Sequence, residues 1–344
     1  MRTTTGWQSS GGSTALERVA LERRELRADD IAVRVDFCGV CHSDLHAIHR
    51  TAGRSLVPGH ELTGTVTAAG PEVTRFAAGD RVAVGTIVDS CGVCPMCRAG
   101  QENYCYEYPT LTYGGVDRVD GLPTLGGYSR EYVLREGFAY PLPEGLDPAA
   151  AAPLLCAGIT VWEPMRAAGI GPGARVAVAG LGGLGHLAVK FAAALGAEVT
   201  VLSRTPDKAA DARALGAADL LLTTDDQQME QARDRFDLVL DTISAPHDLK
   251  PLVRVVALDG TLSLLGYLAE LSLTAMDLLP GRKKITSAGT GGRTGTAEML
   301  AFAAERGIVA DVEVLPSAKV EEALTRLERG DVRYRFVLDL SDLA

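Results

Sequence analysis

Four cysteines stand close together in one segment of the sequence that also contains glycine and proline. They are Cys91, Cys94, Cys97 and Cys105. Four thiolates within 15 residues are typical of a closed tetrahedral zinc site, which stabilises a loop that has no core of its own. An iron–sulfur cluster is the chemical alternative, because cysteine spacing alone does not determine the metal. The acidic residues around the segment argue against a nucleic-acid-binding zinc module, which is normally basic.

A second set of metal-ligating residue types is scattered along the chain. Its members are Cys41, His60 and Cys156, with Glu61 directly after the histidine. No local spacing rule connects them. Each also has a structural interpretation, since a cysteine in an apolar run is often an inert buried thiol and a single histidine is often structural. The residues by themselves therefore do not decide whether they form one metal site.

Residues 180–185 match the G-x-G-x-x-G pattern of dinucleotide binding, directly after a strand-like run and before a helix-like one. The first glycine permits the turn, the second lets the backbone approach a pyrophosphate, and the third lets the helix pack on the strand. The phosphates would then lie at the helix N-terminus. The alternative is three turn glycines in a glycine-rich chain. The candidate cofactor residues are Gly180, Leu181, Gly182, Gly183, Leu184 and Gly185.

The following strand-like run ends at Ser203, about 20 residues beyond the glycines, where NAD-binding folds place an Asp or Glu for the ribose hydroxyls. A small neutral residue there, followed by Arg204 and with Lys208 nearby, leaves room and positive charge for a 2′-phosphate. This pattern favours NADP(H). The alternative is that both cations are solvated charges at a strand–helix junction.

The composition excludes several classes of function. The 34 Lys and Arg residues against 44 Asp and Glu give a formal charge of −10, which argues against a nucleic-acid partner. No stretch approaches the roughly 18 apolar residues of a membrane span. Residues 1–13 lack the apolar centre of a secretory signal. We therefore expect a cytoplasmic protein with no membrane partner, in whose reducing surroundings clustered cysteines bind metal more often than they form disulfides.

Two kinds of pattern divide the chain. Before about residue 150, short strand-like runs at 31–38, 62–69 and 81–88 predict an antiparallel or barrel-like β domain. After Pro148, strands alternate with helices, which predicts a parallel sheet covered on both faces. The predicted strands of this series are 175–179, 198–202, 219–222, 237–241 and 261–265, and the predicted helices are 184–195, 207–215, 226–234 and 248–257.

The tail of the chain contains two helix-like runs, 296–306 and 320–329, and a last strand-like run at 335–340. The helix-like runs have apolar residues at helical spacing, and the last run is RFVLDL. These elements fit two arrangements, because they can extend the parallel sheet or return to the first domain. The pattern alone does not choose between them.

Five motifs in a fixed order carry a resemblance to a known family. They are CGVCHSDLH at 38–46, VPGHE at 57–61, the four clustered cysteines, LLCAGIT at 154–160 and GLGGLG at 180–185. The sequence resembles the zinc-dependent medium-chain alcohol dehydrogenases, and within them the cinnamyl-alcohol-dehydrogenase-like branch of NADPH-dependent aldehyde reductases. The likeness runs through nearly the whole chain. Only residues 1–18 and 106–123 look idiosyncratic.

The resemblance implies an α/β fold in two domains. Residues 1–153 would form a GroES-like, β-rich catalytic domain that carries the zinc sites. Residues 154–292 would form a Rossmann domain, with a doubly wound parallel sheet that binds NADP(H). Residues 293–344 would return to the catalytic domain.

The resemblance also implies ligands for two zinc ions per chain. Cys41, His60 and Cys156 would ligate a catalytic zinc, with Glu61 as an alternate or resting-state fourth ligand. Asp44 would orient His60 and fix its tautomer. The four clustered cysteines would hold a structural zinc.

Further roles are implied for single residues. Ser43 matches the hydroxyl that passes a proton to the reacting oxygen in this family, and His46 matches the end of the relay toward solvent. Thr160, within LLCAGIT, would be a cofactor contact. Cys38, the seventh cysteine, would be a packing thiol without a ligand role.

The expected activity is hydride transfer between NADP(H) and a small primary alcohol or aldehyde, with reduction as the cellular direction and a homodimer as the assembly. Two alternatives stay open. One is a reductase of an imine, an iminium or an activated C=C bond on the same fold, and the other is a non-catalytic structural relative. Substrate-pocket walls are expected around Leu45, 110–113, Tyr267 and 290–293.

Overall fold

A computed structural model describes residues 1–51, 54–266 and 270–343. The chain divides into two compact units. Unit 1 comprises Met1–Cys156 and Gly292–Ala344, and unit 2 comprises Ala157–Gly291. Each unit is built around a β-sheet of its own.

Consecutive strands predominate in the first part of unit 1, whereas helices and strands alternate in unit 2. The first part of unit 1 contains β1 Arg2–Ser9, β2 Leu16–Arg23, β3 Asp30–Val40, α1 His42–Arg50, β4 Leu62–Ala69, β5 Arg81–Val84, β6 Ile87–Asp89, α2 Pro95–Arg98, β7 Thr110–Leu111, β8 Glu131–Arg135, β9 Ala139–Pro141 and α3 Pro148–Ala151. Unit 2 contains α4 Ala157–Ala167, β10 Arg175–Ala179, α5 Gly185–Ala194, β11 Glu198–Ser203, α6 Ala209–Leu215, β12 Asp219–Leu222, α7 Asp226–Gln231, β13 Phe236–Asp241, α8 Lys250–Val255, β14 Val256–Leu264, α9 Ala275–Leu278 and β15 Lys284–Ser287. The tail adds α10 Arg293–Arg306, β16 Val312–Pro316, α11 Val320–Glu328 and β17 Arg335–Asp339 to unit 1.

The main sheet of unit 1 is organised by β3. The strand order is β16-β17-β3-β4-β5-β9, and β8 also pairs with β3. β3 pairs antiparallel with β4, β8 and β17, whereas β16 and β17 are parallel. Phe336 of the tail shares one hydrophobic core with Ile31 and Val33 of β3, and all three are fully buried. The tail therefore completes the sheet of unit 1.

The sheet of unit 2 is entirely parallel among the described residues, in the order β12-β11-β10-β13-β14-β15. The central strand β10 has the sequence RVAVA and four of its five residues are buried, as expected for a strand covered on both faces. The chain runs outward from β10 in one direction and returns to pair β13 on the other side. Ligands bind at such a reversal of strand order. The predicted doubly wound parallel sheet is confirmed.

Several predicted elements have different limits in the structure, and two of them show a physical reason. The strand predicted at 81–88 is interrupted at Gly85 and Thr86, whose carbonyl groups accept hydrogen bonds from the side chain and the backbone N–H of Thr112. The helix predicted at 248–257 ends at Val255, because Val256 pairs with Phe236 and begins β14. In both places, contacts with residues distant in sequence override the local pattern.

Candidate active site

Cys41 lies at the junction of a strand and a helix. It follows β3 and is the N-cap residue of α1, where its Sγ accepts the backbone N–H of Ser43 at 3.5 Å. Asp44, in the first turn, accepts the backbone N–H of Cys41 through Oδ2 at 2.9 Å. These reciprocal bonds form a capping box, with sulfur in the place of the usual hydroxyl. The start of the helix thus fixes the direction of the thiol.

The register of two strands places His60 and Glu61 beside Cys41. β3 and β4 are antiparallel with Cys38 opposite Leu62. The residues that follow Cys38 therefore run beside those that precede Leu62. Two motifs that are separate in the sequence meet at this end of the sheet.

Asp44 orients the ring of His60. The Oδ1 atom of Asp44 lies 3.1 Å from Nδ1 of His60, and the carboxylate is fully buried. An imidazole that donates from Nδ1 presents the lone pair of Nε2. The Nε2 atom of His60 is buried and has no hydrogen-bond partner among the described residues, as expected of an atom that ligates a metal.

Cys156 completes the set. It follows the 3₁₀ turn Ala152–Leu155, and its Sγ lies 4.0 Å from Sγ of Cys41. One ligand atom from each of Cys41, His60, Glu61 and Cys156 lies within 4.8 Å of the others, and all four residues are buried. Zinc–sulfur bonds of about 2.3 Å at tetrahedral angles separate two sulfurs by about 3.8 Å. The donor set therefore fits a zinc ion.

The charges at this site are strongly coupled. A hydrogen bond with Cys156 and the nearby Arg335 guanidinium hold the pKa of Cys41 well below its ordinary value, although burial opposes this. The same hydrogen bond and burial raise the pKa of Cys156. Two buried thiolates repel each other, and a divalent cation between them allows both to ionise.

Arg335, the first residue of β17, is placed at the site by the antiparallel pairing of β17 with β3. Phe336 lies opposite Val40, so the residue before Phe336 comes next to the end of β3. Arg335 donates through Nη2 to Oε1 of Glu61 in a buried ion pair. Burial raises the pKa of Glu61 to about 7, although the guanidinium lowers it. The other carboxylate oxygen, Oε2, has no hydrogen-bond partner among the described residues.

Ser43 and His46 lie on the first turns of α1. The Oγ atom of Ser43 is 3.6 Å from Sγ of Cys41, and both Ser43 and His46 are exposed. Their spacing of three residues places them on one helix face. No hydrogen bond joins the two side chains in the described part of the chain, so the geometry brings Ser43 to the donor set and leaves His46 at the surface.

The clustered cysteines form a second donor set. The ligand atoms of Cys91, Cys94, Cys97 and Cys105 all lie within 4.8 Å of one another. Cys94 is the N-cap of α2, and its Sγ accepts the backbone N–H of Cys97 at 3.5 Å. The Sγ atoms of Cys91 and Cys97 are 3.8 Å apart, a spacing that suits a tetrahedral zinc thiolate site.

A buried carboxylate ties this cysteine segment to α10. Glu102 is 1% exposed and accepts the backbone N–H of Arg293 at 2.8 Å and the guanidinium Nε at 2.6 Å. Arg293 is the first residue of α10, so the carboxylate also meets the positive end of that helix.

In unit 2, the backbone of the glycine loop explains why glycine stands at three of its positions. Gly180 adopts φ +88°, and a Cβ on Gly185 would lie 2.1 Å from the carbonyl oxygen of Gly180. A Cβ on Gly182 would meet nothing within 4 Å, so this backbone is open to an approaching ligand. The loop leads directly into α5, whose N-terminal N–H groups attract anions.

The end of β11 lies next to the glycine loop. Lys208 donates from Nζ to the carbonyl oxygen of Leu181 at 3.1 Å. Ser203 accepts the backbone N–H of Thr205 at 3.3 Å, and Arg204 is exposed. The cation Lys208 is thus held at the loop where a pyrophosphate is expected. Thr160, in α4, is 3% exposed.

Several residues at the first site escaped the sequence analysis. Arg335 and Tyr128 lack a local motif. Strand pairing brings Arg335 to the donor set, and backbone hydrogen bonds to residues 57–59 bring Tyr128 to Asp44. The ring of Tyr113, in the expected pocket wall, lies 5.6 Å from that of His60. Tyr267, another expected wall residue, lies outside the described residues.

Helices in the described ranges are all too short or too polar to cross a membrane.

Two family models match the chain. The model described as alcohol dehydrogenase GroES-like domain matches residues 27–144, and that described as zinc-binding dehydrogenase matches residues 183–305. Among curated proteins, the NADP-dependent alcohol dehydrogenase C 1 of Mycolicibacterium smegmatis is 42% identical over 348 residues, covering 100% of this chain and 99% of that protein.

Solved structures of alcohol dehydrogenases are also similar to this chain. A cinnamyl alcohol dehydrogenase of Sorghum bicolor has a TM-score of 0.94 and 43% identity, covering 98% of both chains. The structure of CAD from Helicobacter pylori, complexed with NADP(H), has a TM-score of 0.90 and 30% identity, again covering 98% of both chains.

Proposed function

Because this chain belongs to the zinc-dependent medium-chain alcohol dehydrogenases, in their cinnamyl-alcohol-dehydrogenase-like branch, we propose that it reduces small aldehydes to primary alcohols with NADPH. One hydride and one proton are added to the carbonyl group, and NADPH becomes NADP⁺. The reaction is reversible, and reduction is the proposed cellular direction.

One observation carries this proposal. Two thiols converge in the buried interior of unit 1 with an imidazole nitrogen that has no hydrogen-bond partner in the described part of the chain, at Cys41, Cys156 and His60. Three protein ligands of this kind leave a fourth position for a substrate oxygen. Glu61 is proposed as an alternate occupant of that position. When bound, zinc supplies Lewis acidity for the carbonyl oxygen and the nicotinamide supplies hydride.

The chain's own residues prepare this chemistry. Asp44 keeps the proton of His60 on Nδ1 and so presents Nε2 to the metal position. Arg335 holds one oxygen of Glu61 and places a fixed positive charge beside the two thiols. Ser43, next to Cys41 and exposed, is proposed to deliver the proton to the product oxygen, with His46 at the solvent end of the relay.

The proposed cofactor is NADP(H). The glycine loop would bind the pyrophosphate, and Ser203, Arg204 and Lys208 would bind the 2′-phosphate, with Thr160 as a further contact. Support comes from the fixed position of Lys208 at Leu181 and from the neutral residue at the end of β11. The relatives named NADP-dependent and complexed with NADP(H) support the same choice.

Three further properties are proposed with the function. The four clustered cysteines hold a structural zinc, the protein works in the cytoplasm, and it is a homodimer. The GroES-like domain is proposed to span 1–153 and 293–344, with the Rossmann domain at 154–292. The alternatives of imine or C=C reduction and of a non-catalytic relative gain no support from the family match, and all the implied zinc ligands are present.

The test is a panel of aliphatic, benzylic and cinnamyl aldehydes assayed by consumption of NADPH and of NADH. We expect oxidation of NADPH that depends on the aldehyde, with a higher kcat/KM for NADPH than for NADH. No turnover of any aldehyde or primary alcohol by a preparation with full zinc would contradict the proposal.

A further inference from the structure

A phenol group stands behind the ligand histidine. Tyr128 is fully buried, and its hydroxyl donates to Oδ2 of Asp44 at 3.1 Å. Burial and the Asp44 carboxylate raise the pKa of this phenol well above its usual value, so that it stays protonated and donates. Asp44 therefore connects Tyr128 on one side with His60 on the other.

Four of the groups that are hydrogen-bonded to Asp44 divide evenly between its two oxygens. Oδ1 accepts the backbone N–H of Gly59 and faces Nδ1 of His60, both at 3.1 Å. Oδ2 accepts the backbone N–H of Cys41 at 2.9 Å and the Tyr128 hydroxyl. Both backbone donors adjoin or belong to a zinc-ligand residue, whereas the phenol belongs to a segment that contains no zinc ligand. The phenol thus connects the Asp44 carboxylate with a second segment of the chain.

The segment that carries Tyr128 is held firmly in place. The backbone N–H groups of Gly126, Gly127 and Tyr128 donate to the carbonyls of residues 57–59 at 2.7, 2.9 and 2.9 Å. On the other side, buried Arg23 donates to the Gly126 carbonyl at 2.7 Å and to Ser129 Oγ at 2.6 Å. The position of the phenol oxygen is therefore set by the backbone hydrogen bonds to residues 57–59 and by a buried guanidinium.

Close packing removes the remaining freedom of the ring. Gly59 adopts φ +100°, and a Cβ at that position would lie 2.6 Å from Cδ1 of Tyr128. The ring therefore packs directly on the backbone that precedes His60. A rotation of the phenol away from Asp44 would displace this backbone.

We infer that Tyr128 is a positioning residue for the catalytic metal, which acts through Asp44 to hold the His60 ring in its ligating orientation. The inference rests on the proposed zinc site and adds a residue to it. A buried carboxylate that loses one of two donors on an oxygen keeps an unsatisfied lone pair, and it orients the imidazole less firmly. Partners of this kind typically change metal affinity about 10- to 100-fold when removed.

The test compares Tyr128→Phe with Tyr132→Phe in the zinc-loaded protein. Tyr132 is 2% exposed and its hydroxyl donates to the Thr112 carbonyl at 2.7 Å, so the control removes an equally buried hydroxyl in the same unit. With dipicolinate as the chelator, native mass spectrometry follows the loss of the more labile zinc. We expect loss about 10- to 100-fold faster from Tyr128→Phe than from wild type, and unchanged loss from Tyr132→Phe.

A spectroscopic readout separates positioning from general loosening. With Co²⁺ in place of the labile zinc, the ligand-field bands should shift in Tyr128→Phe and remain in place in Tyr132→Phe. Wild-type rates and bands in Tyr128→Phe would overturn the inference, and so would equal effects of the two substitutions. A wild-type protein with no second zinc would instead overturn the proposed function on which the inference rests.

Asp44→Asn changes the acceptor of the hydrogen bond between Tyr128 and Asp44. This variant should lose the labile zinc at least as fast as Tyr128→Phe, and adding Tyr128→Phe to it should change the rate no further. A full additional acceleration in the double variant would mean that the phenol does not act through Asp44.

Discussion

The Sγ atoms of Cys41 and Cys156 lie 4.0 Å apart, although 115 positions separate the two residues in the sequence. Cys41 is placed by the start of α1, and Cys156 is placed by a 3₁₀ turn. His60 joins them through the register of β3 with β4. A helix start, a 3₁₀ turn and a strand register thus bring three ligands into one donor set. Substituting one of these ligands should therefore impair metal binding and activity.

Replacing Cys41 with Ser should abolish aldehyde reduction while NADPH binding stays nearly intact. A serine hydroxyl is a poor substitute for a thiolate ligand, and loss of several kcal/mol of charge stabilisation lowers kcat by more than about a thousandfold. Steady-state kinetics and NADPH fluorescence titration measure the two properties. Cys38→Ala, which removes a buried thiol outside the donor set, is the control and should remain active. Full activity in the Cys41→Ser variant would rule out the zinc assignment.

Replacing Ser203 with Asp should shift cofactor preference toward NADH. Ser203 ends β11, where a carboxylate would repel a 2′-phosphate and bind the ribose hydroxyls. We expect the ratio of kcat/KM for NADPH to that for NADH to fall at least about tenfold, which corresponds to about 1.4 kcal/mol. Ser203→Asn has the same size as the Asp variant without its charge, so it should shift the ratio much less. An unchanged ratio in the Asp variant would refute the assignment of this position.

Replacing Glu102 with Ala should destabilise unit 1. The substitution leaves the first backbone N–H of α10 without its buried acceptor, which costs about 2 kcal/mol. Urea titration should show a lower midpoint. Glu230→Ala removes the partner of Arg233 at an exposed site and should leave the midpoint unchanged. Equal midpoints for Glu102→Ala and wild type would show that the contact carries no stability.

The pair of Arg27 and Asp117 should make part of the stability depend on pH. Partial burial raises the pKa of Asp117, but hydrogen bonds from Arg27 and from two backbone N–H groups lower it to about 2. An aspartate in the unfolded chain titrates near about 3.9. The ionised group therefore stabilises the fold above that pH, and this contribution is lost as the pH falls toward about 2.

Asp117→Asn should accordingly lower the melting temperature at neutral pH, and the gap to wild type should narrow as the pH falls below about 4. Thermal melts at a series of pH values measure this gap. A gap that stays constant between neutral pH and pH of about 3 would contradict the ion-pair explanation.

Local patterns predicted the fold well where the contacts are local. β4 spans the predicted 62–69, and five of the six strands of the parallel sheet were predicted from the regular alternation after Pro148, β15 being the one that was missed. The pattern failed at 81–88 and at 248–257, where distant partners decide the hydrogen bonding. The placement of the tail was open for the same reason, since β17 pairs with β3 far away in the sequence.

The candidate site was predictable to the extent that its residues belong to motifs. Cys41, His60 and Cys156 were found by resemblance rather than by spacing. Arg335 and Tyr128 were not found, because an arginine at the start of a strand and a tyrosine after two glycines look ordinary until the fold brings them to Glu61 and Asp44. A residue whose role depends on contacts with a distant segment cannot be recognised from the residues around it in the sequence.

The number of zinc ions per chain tests the central claim most directly. Native mass spectrometry of the purified 36.2 kDa chain counts bound metal without an assumption about substrate. The two donor sets predict two zinc ions per chain, with one remaining in Cys41→Ser. A wild-type protein that binds a single zinc ion, or a Cys41→Ser variant that retains both, would contradict a catalytic zinc at Cys41, His60 and Cys156.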